Sequence, residues 1–123
     1  MRALLLYRLD LAAEAAEDGI HAVDPREPII RATDLGVTRG DGVFETAVVR
    51  GGRPQALEAH LVRLERSAQL LGLPVPRHEL WARAVRRAAA EVSRPGVLRD
   101  GEIASIKFAM TRGDEVDPAG PTG

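Results

Sequence analysis

The sequence contains no cysteine, which excludes disulfides, thiolate metal sites and cysteine nucleophiles, and agrees with a reducing compartment. Acidic and basic residues, 18 and 17 in number, nearly cancel, so no net charge attracts nucleic acid or an anionic membrane. The apolar run at residues 3–6 is too short for a signal-peptide core or a membrane span. We therefore expect a cytoplasmic protein that binds neither nucleic acid nor membrane.

Aromatic residues are also scarce, at 3%, yet 45% of the residues are hydrophobic and most of these are Ala, Leu and Val. This aliphatic content is typical of a packed globule rather than a disordered chain. A chain of 123 residues is long enough to bury one hydrophobic core but leaves little room for a second domain. We expect a single folded domain.

The first half of the chain is predicted to consist of strands and turns. Short extended segments are expected at 4–9, 20–23 and 27–31, whereas 11–18 fits a helical turn or a loop equally well. A β-branched run at 43–50 is followed by Gly51 and Gly52, two residues that readily adopt the positive φ angles of a tight turn. This pattern predicts a hairpin that continues into residues 53–56.

The second half has helical periodicity. Apolar residues recur with a period near 3.6 at positions 57, 61, 64, 68 and 71, and Gly72 marks the end of that helix. A second helix is predicted at about 78–93, followed by an alternating strand at 103–111. The expected fold class is α+β, an antiparallel sheet with two helices packed on it.

Residues 34–46 contain the most unusual local pattern, with glycines punctuating a segment that enters a strand. The segment lacks the third glycine of a dinucleotide loop and the Gly-Lys-Ser/Thr of a phosphate-binding loop. His21, His60 and His78 lack metal-ligand spacing, so no metal site is expected. Lys107, the sole lysine, could act as a Schiff-base amine or could simply be a solvated strand residue.

Three blocks occur together in one order: Thr-Arg-Gly-Asp-Gly-Val-Phe-Glu-Thr at 38–46, His-Leu-Val-Arg-Leu at 60–64 with Ser-Ala at 67–68, and Thr-Arg-Gly at 111–113. In order and spacing they resemble the N-terminal half of the fold-type IV, or class IV, pyridoxal phosphate (PLP) enzymes, over roughly residues 20 to 115. Within that family the chain is most similar to aminodeoxychorismate lyases. The resemblance implies the small N-terminal domain of such an enzyme.

The resemblance assigns the PLP phosphate to Arg63, the arginine of the His-x-x-Arg-Leu block, and guanidinium donors suit a phosphate. It places the Schiff-base lysine in a C-terminal catalytic domain beyond Gly123, because Lys107 matches a strand position near the substrate pocket instead. Residues 1–112 would form the small domain and 113–123 the start of an interdomain linker. As given, the chain is not expected to catalyse the reaction or to retain PLP.

The resemblance also implies a substrate pocket lined by Arg39, Phe44, Thr46 and Lys107, with Glu45 on the same strand. The implied activity is pyruvate elimination from 4-amino-4-deoxychorismate to give 4-aminobenzoate, in a folate pathway, by a homodimer acting on a small amino substrate. A branched-chain or D-amino-acid aminotransferase is the alternative, although the acidic residues after Gly113 are unlike the basic motif of D-amino-acid enzymes. A non-catalytic binding or assembly domain is a third possibility.

Overall fold

A computed structural model describes residues 4–116 and 120–123. These residues form two antiparallel sheets and two long helices. The strands are β1 (Leu6–Leu9), β2 (Ile20–Val23), β3 (Gly42–Arg50), β4 (Arg53–Pro54) and β5 (Ser105–Thr111). The helices are α1 (Leu35–Thr38), α2 (Leu57–Leu70) and α3 (His78–Val92), and a 3-10 helix covers Ala16–Gly19.

The larger sheet has the strand order β4-β3-β5, and β3 is antiparallel to both neighbours. Successive side chains of a strand point to opposite faces, and buried and exposed residues alternate along β3 accordingly. The inner face carries Val43, Glu45, Ala47 and Val49 of β3 with Ile106, Phe108 and Met110 of β5. The outer face carries Phe44, Thr46 and Val48 of β3 with Ser105, Lys107 and Ala109 of β5.

Helices α2 and α3 cover the inner face with most of the apolar rows that their periodicity predicts. The prediction is wrong for Leu71, which follows the last residue of α2 and is 43% exposed. Leu57, Leu61, Leu64 and Ala68 of α2 are buried, and α2 ends before Gly72, whose φ of 67° is left-handed. The buried row of α3 includes Leu80, Trp81, Ala84 and Val85. Both rows join the inner face in one core, whose largest fully buried side chains are Trp81, Leu64, Leu80 and Met110.

The structure confirms the α+β class and most of the predicted elements. The extended piece predicted at 27–31 does not pair as a strand, and these residues form bends and irregular backbone. Helix α1 was not predicted; it begins where the Asp34 side chain accepts a hydrogen bond of 2.8 Å from the Gly36 amide. A second, two-stranded sheet of β1 and β2 accompanies the larger one.

The residues that follow β5 lie against the domain. Gly113 accepts a hydrogen bond from the Leu35 amide at 2.8 Å, and Thr111 and Thr122 exchange two backbone hydrogen bonds of 2.8 and 3.1 Å. The described parts of 113–123 are therefore hydrogen-bonded to the loop before α1 and to the end of β5. Residues 117–119 of the predicted linker lie outside the described residues. The boundary at residue 112 stays a prediction.

The hairpin turn between β3 and β4 depends on Gly51 and Gly52, whose φ angles are 57° and 74°. An L-residue in this left-handed region costs about 1–2 kcal/mol, and a β-branched one is especially unfavourable. We expect Gly51→Val to lower the free energy of unfolding by at least about 1–2 kcal/mol in urea denaturation. Gly51→Asn is the matched control, because asparagine tolerates this region; equal losses in the two variants would contradict the assigned turn.

Within residues 4–116 and 120–123, no helix has both the length and the apolar character needed to cross a membrane.

Candidate functional site

Strand β3 divides the candidate site residues between the two faces of the larger sheet. The alternation of side chains along a strand places Glu45 on the inner face, towards α2, and its neighbours Phe44 and Thr46 on the outer face. Arg63 lies on α2, beside Glu45, while Lys107 lies on β5 and belongs to the outer face. The predicted cofactor residue and the predicted pocket residues of the sheet are thus positioned by different elements.

On the inner face, Glu45 forms a three-residue cluster with two side chains of α2. His60 and Arg63 are three positions apart, which places them on one side of the helix. The Nδ1 atom of His60 is 2.7 Å from Oε1 of Glu45, and Nε of Arg63 is 3.6 Å from the same oxygen. The Glu45 side chain is 9% exposed, whereas that of Arg63 is 67% exposed. The cluster therefore runs from a buried carboxylate to a guanidinium in solvent.

On the outer face, Lys107 lies over the ring of Phe44, with Nζ 4.5 Å from the ring centroid. This is a cation–π contact, and Phe44 is 60% exposed. Thr46 is directly opposite Lys107 in the pairing of β3 with β5. The structure therefore brings three of the four predicted pocket residues together on one surface.

Arg39, the fourth predicted pocket residue, follows α1 in the loop that enters β3. It is exposed, and its amide donates to the Leu35 carbonyl at 3.1 Å. The loop is attached to the end of β5 by an ion pair of 2.7 Å between Arg112 Nε and Asp41 Oδ2. This hydrogen bond to Asp41 raises the pKa of Arg112. Among the described residues, no hydrogen bond or ion pair joins Arg39 to the other predicted pocket residues.

The same loop approaches β5 closely through Gly36. A Cβ atom built at Gly36 would lie 2.3 Å from Cγ2 of Thr111, closer than side chains approach each other. The absence of a side chain at this glycine allows α1 to contact the end of β5. Residues 36–41 are thus held in place next to β5, the strand that carries Lys107 of the predicted pocket.

Sequence reasoning missed two members of the inner-face cluster, Glu45 as a buried partner and His60. One signal was available, because Glu45 occupies an inner position between Val43 and Ala47 in an alternating strand, where an ionisable residue needs a partner. The Asp41–Arg112 pair had no such signal, since 71 positions separate its members.

Chemically, the site offers cations and hydrogen-bond donors. Arg63 presents a planar set of donors that suits a phosphate or a carboxylate, and Lys107 adds an ammonium beside an aromatic ring. Lys107 also lies on the face opposite to the Glu45 cluster. Across the part of the chain that the structure describes, no three His, Cys, Asp or Glu side chains cluster closely enough to hold a metal ion.

Comparison with known proteins gives consistent results. The family model described as amino-transferase class IV matches residues 42–122, which contain β3, α2 and β5 but not the loop that carries Arg39. A bifunctional aminodeoxychorismate lyase / D-amino acid transaminase of Mycobacterium tuberculosis is 47% identical over 81 residues. That match covers 63% of this chain and 28% of the relative, so the chain spans little more than a quarter of the relative's length.

Solved structures agree with this result. A fold IV transaminase from Curtobacterium pusillum superposes with a TM-score of 0.84 at 43% identity, over 97% of this chain and 40% of that one. A hypothetical aminotransferase from M. tuberculosis, solved with PLP bound, has a TM-score of 0.76 at 37% identity, over 94% of this chain and 37% of that one. The fold is that of the small domain of fold-type IV enzymes, and the chain belongs to the class IV aminotransferase family.

Proposed function

We propose that this chain is the small-domain part of a PLP-dependent enzyme, and that the whole protein is a 4-amino-4-deoxychorismate lyase that releases pyruvate and forms 4-aminobenzoate. One observation carries the proposal: Arg63, on the helix of the family motif, has a 67% exposed guanidinium backed by a buried carboxylate. Its exposed donors suit the doubly charged phosphate of PLP. The M. tuberculosis relative with lyase in its name supports the choice of activity.

The residues present fit part of a PLP site. Arg63 would bind the phosphate with the terminal nitrogens of its guanidinium, because its Nε atom faces Glu45. Lys107 does not share the surface of Arg63, which agrees with a Schiff-base lysine elsewhere in the whole protein. When bound, PLP supplies an electron sink for bond cleavage next to the substrate amine.

The outer face of the sheet would form one wall of the substrate pocket. Lys107 and Arg39 provide positive charges for substrate carboxylates, and the exposed ring of Phe44 provides an apolar surface. Thr46 adds a hydroxyl that can donate or accept a hydrogen bond. These residues would orient the substrate, while residues outside this chain would complete the pocket.

A class IV aminotransferase is the second candidate, because the same M. tuberculosis relative also has D-amino acid transaminase in its name. The acidic Asp114 and Glu115 favour the lyase, since a D-amino-acid enzyme is expected to have basic residues here. We also propose that the whole protein is a cytoplasmic homodimer with an interdomain linker beginning at residue 113.

The test is to purify the complete natural chain that carries these residues and to supply PLP. We expect 4-aminobenzoate and pyruvate to form from aminodeoxychorismate faster than a keto acid forms from a D-amino acid or a branched-chain amino acid. The reverse order of rates would replace the lyase by the aminotransferase. Absence of both activities together with absence of PLP binding would contradict an enzymatic role and favour a binding or assembly domain.

A further inference from the structure

We propose that Glu45 is a positioning residue for the cofactor site, and that it orients the guanidinium of Arg63 towards the phosphate without contacting PLP itself. The inference deepens the proposed function and depends on the phosphate role of Arg63. The contacts of Glu45, His60 and Arg63 carry it.

Glu45 is placed where an ionisable side chain is costly. Its neighbours on the inner face are apolar, and the residue is 8% exposed. A buried carboxylate is retained only when charged or polar partners compensate for the lost water. Both of its described partners, His60 and Arg63, come from α2 and contact the same oxygen, Oε1.

His60 holds this oxygen in place. An ionised carboxylate only accepts hydrogen bonds, so Nδ1 of His60 is the donor across the 2.7 Å separation. The ring is edge-on to Phe108, with 6.4 Å between the centroids and an interplanar angle of 87°. Because the ring and the carboxylate are both held by the core, Oε1 has a defined position beneath Arg63.

The contact with Arg63 determines which part of the guanidinium remains available. The Nε atom lies 3.6 Å from Oε1, a distance for charge attraction rather than for a short hydrogen bond. With Nε next to Glu45 and the guanidinium 67% exposed, the two terminal nitrogens would be available to bind a phosphate as a pair. An exposed arginine without this carboxylate would lose more conformational freedom when it binds the phosphate, so its affinity for the phosphate would be lower.

The experiment compares Glu45→Gln with the wild type in the complete natural chain, using PLP and pyridoxal, which lacks the phosphate. Glutamine keeps the size and still accepts from His60, but it removes the charge next to Arg63. We expect the dissociation constant for PLP to rise about threefold to tenfold and that for pyridoxal to change little. Glu65→Gln, an exposed residue of the same helix, is the matched control.

A double-mutant cycle separates positioning from a purely structural role. If Glu45 acts through Arg63, Glu45→Gln has no further effect on PLP affinity once Arg63→Ala is present. An equal effect in both backgrounds, or an equal loss for PLP and pyridoxal, would overturn the inference. If Arg63→Ala leaves PLP affinity unchanged, the phosphate role itself is wrong, and the two failures are thereby distinguished.

A conservative variant covers the case in which Glu45→Gln does not fold, as judged by circular dichroism. Glu45→Asp keeps the charge but shortens the side chain by one methylene, so the carboxylate moves away from Arg63. We expect PLP affinity between those of the wild type and Arg63→Ala. Wild-type affinity for PLP in a folded Glu45→Asp protein would count against positioning by this carboxylate.

Discussion

Replacing Trp81 by alanine is expected to lower the free energy of unfolding by about 3–5 kcal/mol, the range for deletion of a buried tryptophan. Trp81 is 1% exposed and is among the largest side chains in the core. Small domains are stable by only about 5–15 kcal/mol, so this one change could remove most of the stability. Urea denaturation followed by far-ultraviolet circular dichroism measures it, because the variant lacks the single tryptophan and its fluorescence.

Two further variants define the origin of this loss. Trp81→Phe keeps much of the apolar volume and removes an indole N–H that has no hydrogen-bond partner among the described residues, so its cost should be clearly smaller. Val62→Ala, at a 54% exposed position of α2, should change stability by less than about 0.5 kcal/mol. Similar midpoints for Trp81→Ala and Val62→Ala would contradict the described core.

Replacing Arg63 by alanine in the complete natural chain is expected to raise the dissociation constant for PLP about 10-fold to 100-fold. Hydrogen bonds to charged groups contribute about 1.5–3 kcal/mol, and about 1.4 kcal/mol corresponds to a factor of ten in affinity. The unfolding midpoint should change little, because the Arg63 side chain is 67% exposed and Glu45 keeps its 2.7 Å contact with His60. Titration of the protein with PLP, followed by absorbance, measures the affinity.

The controls use ligands and neighbouring residues. Pyridoxal should bind the variant and the wild type alike, because it has no phosphate for Arg63 to hold. Arg66→Ala removes an exposed arginine one turn along α2 and should leave PLP affinity within about twofold. Arg63→Lys keeps a charge without the planar fork and should give an intermediate affinity. Equal losses from Arg63→Ala and Arg66→Ala would indicate general charge attraction rather than a specific contact.

Much of the fold could be predicted because it depends on periodicity. The apolar row of α2 from Leu57 to Ala68 and the alternation in β3 are local patterns that match burial in the structure. The pair Gly51-Gly52 likewise determines its turn through backbone sterics alone. Such features need no information about the rest of the chain.

The other features depend on contacts between residues distant in sequence. Helix α1 has four residues and is stabilised by the Asp34 cap and by the hydrogen bond from Leu35 to Gly113, so periodicity could not reveal it. In the candidate site, the family resemblance indicated Arg63, Phe44 and Lys107. Only the structure shows that Arg63 shares Oε1 of Glu45 with His60, and that Phe44 contacts Lys107 instead.

The alternation of β3 has a consequence for how such an enzyme can diversify. Inner-face residues pack against the helices, whereas replacements of outer-face residues such as Thr46, Ser105 and Ala109 should each change stability only slightly. Substitutions at the outer-face positions of β3 and β5 could therefore change the substrate preference of the proposed enzyme, in evolution or in a mutant library. The core residues would not need to change. In β3, the even positions 44, 46 and 48 face the proposed pocket and are free to vary, whereas the odd positions 43, 45, 47 and 49 maintain the core.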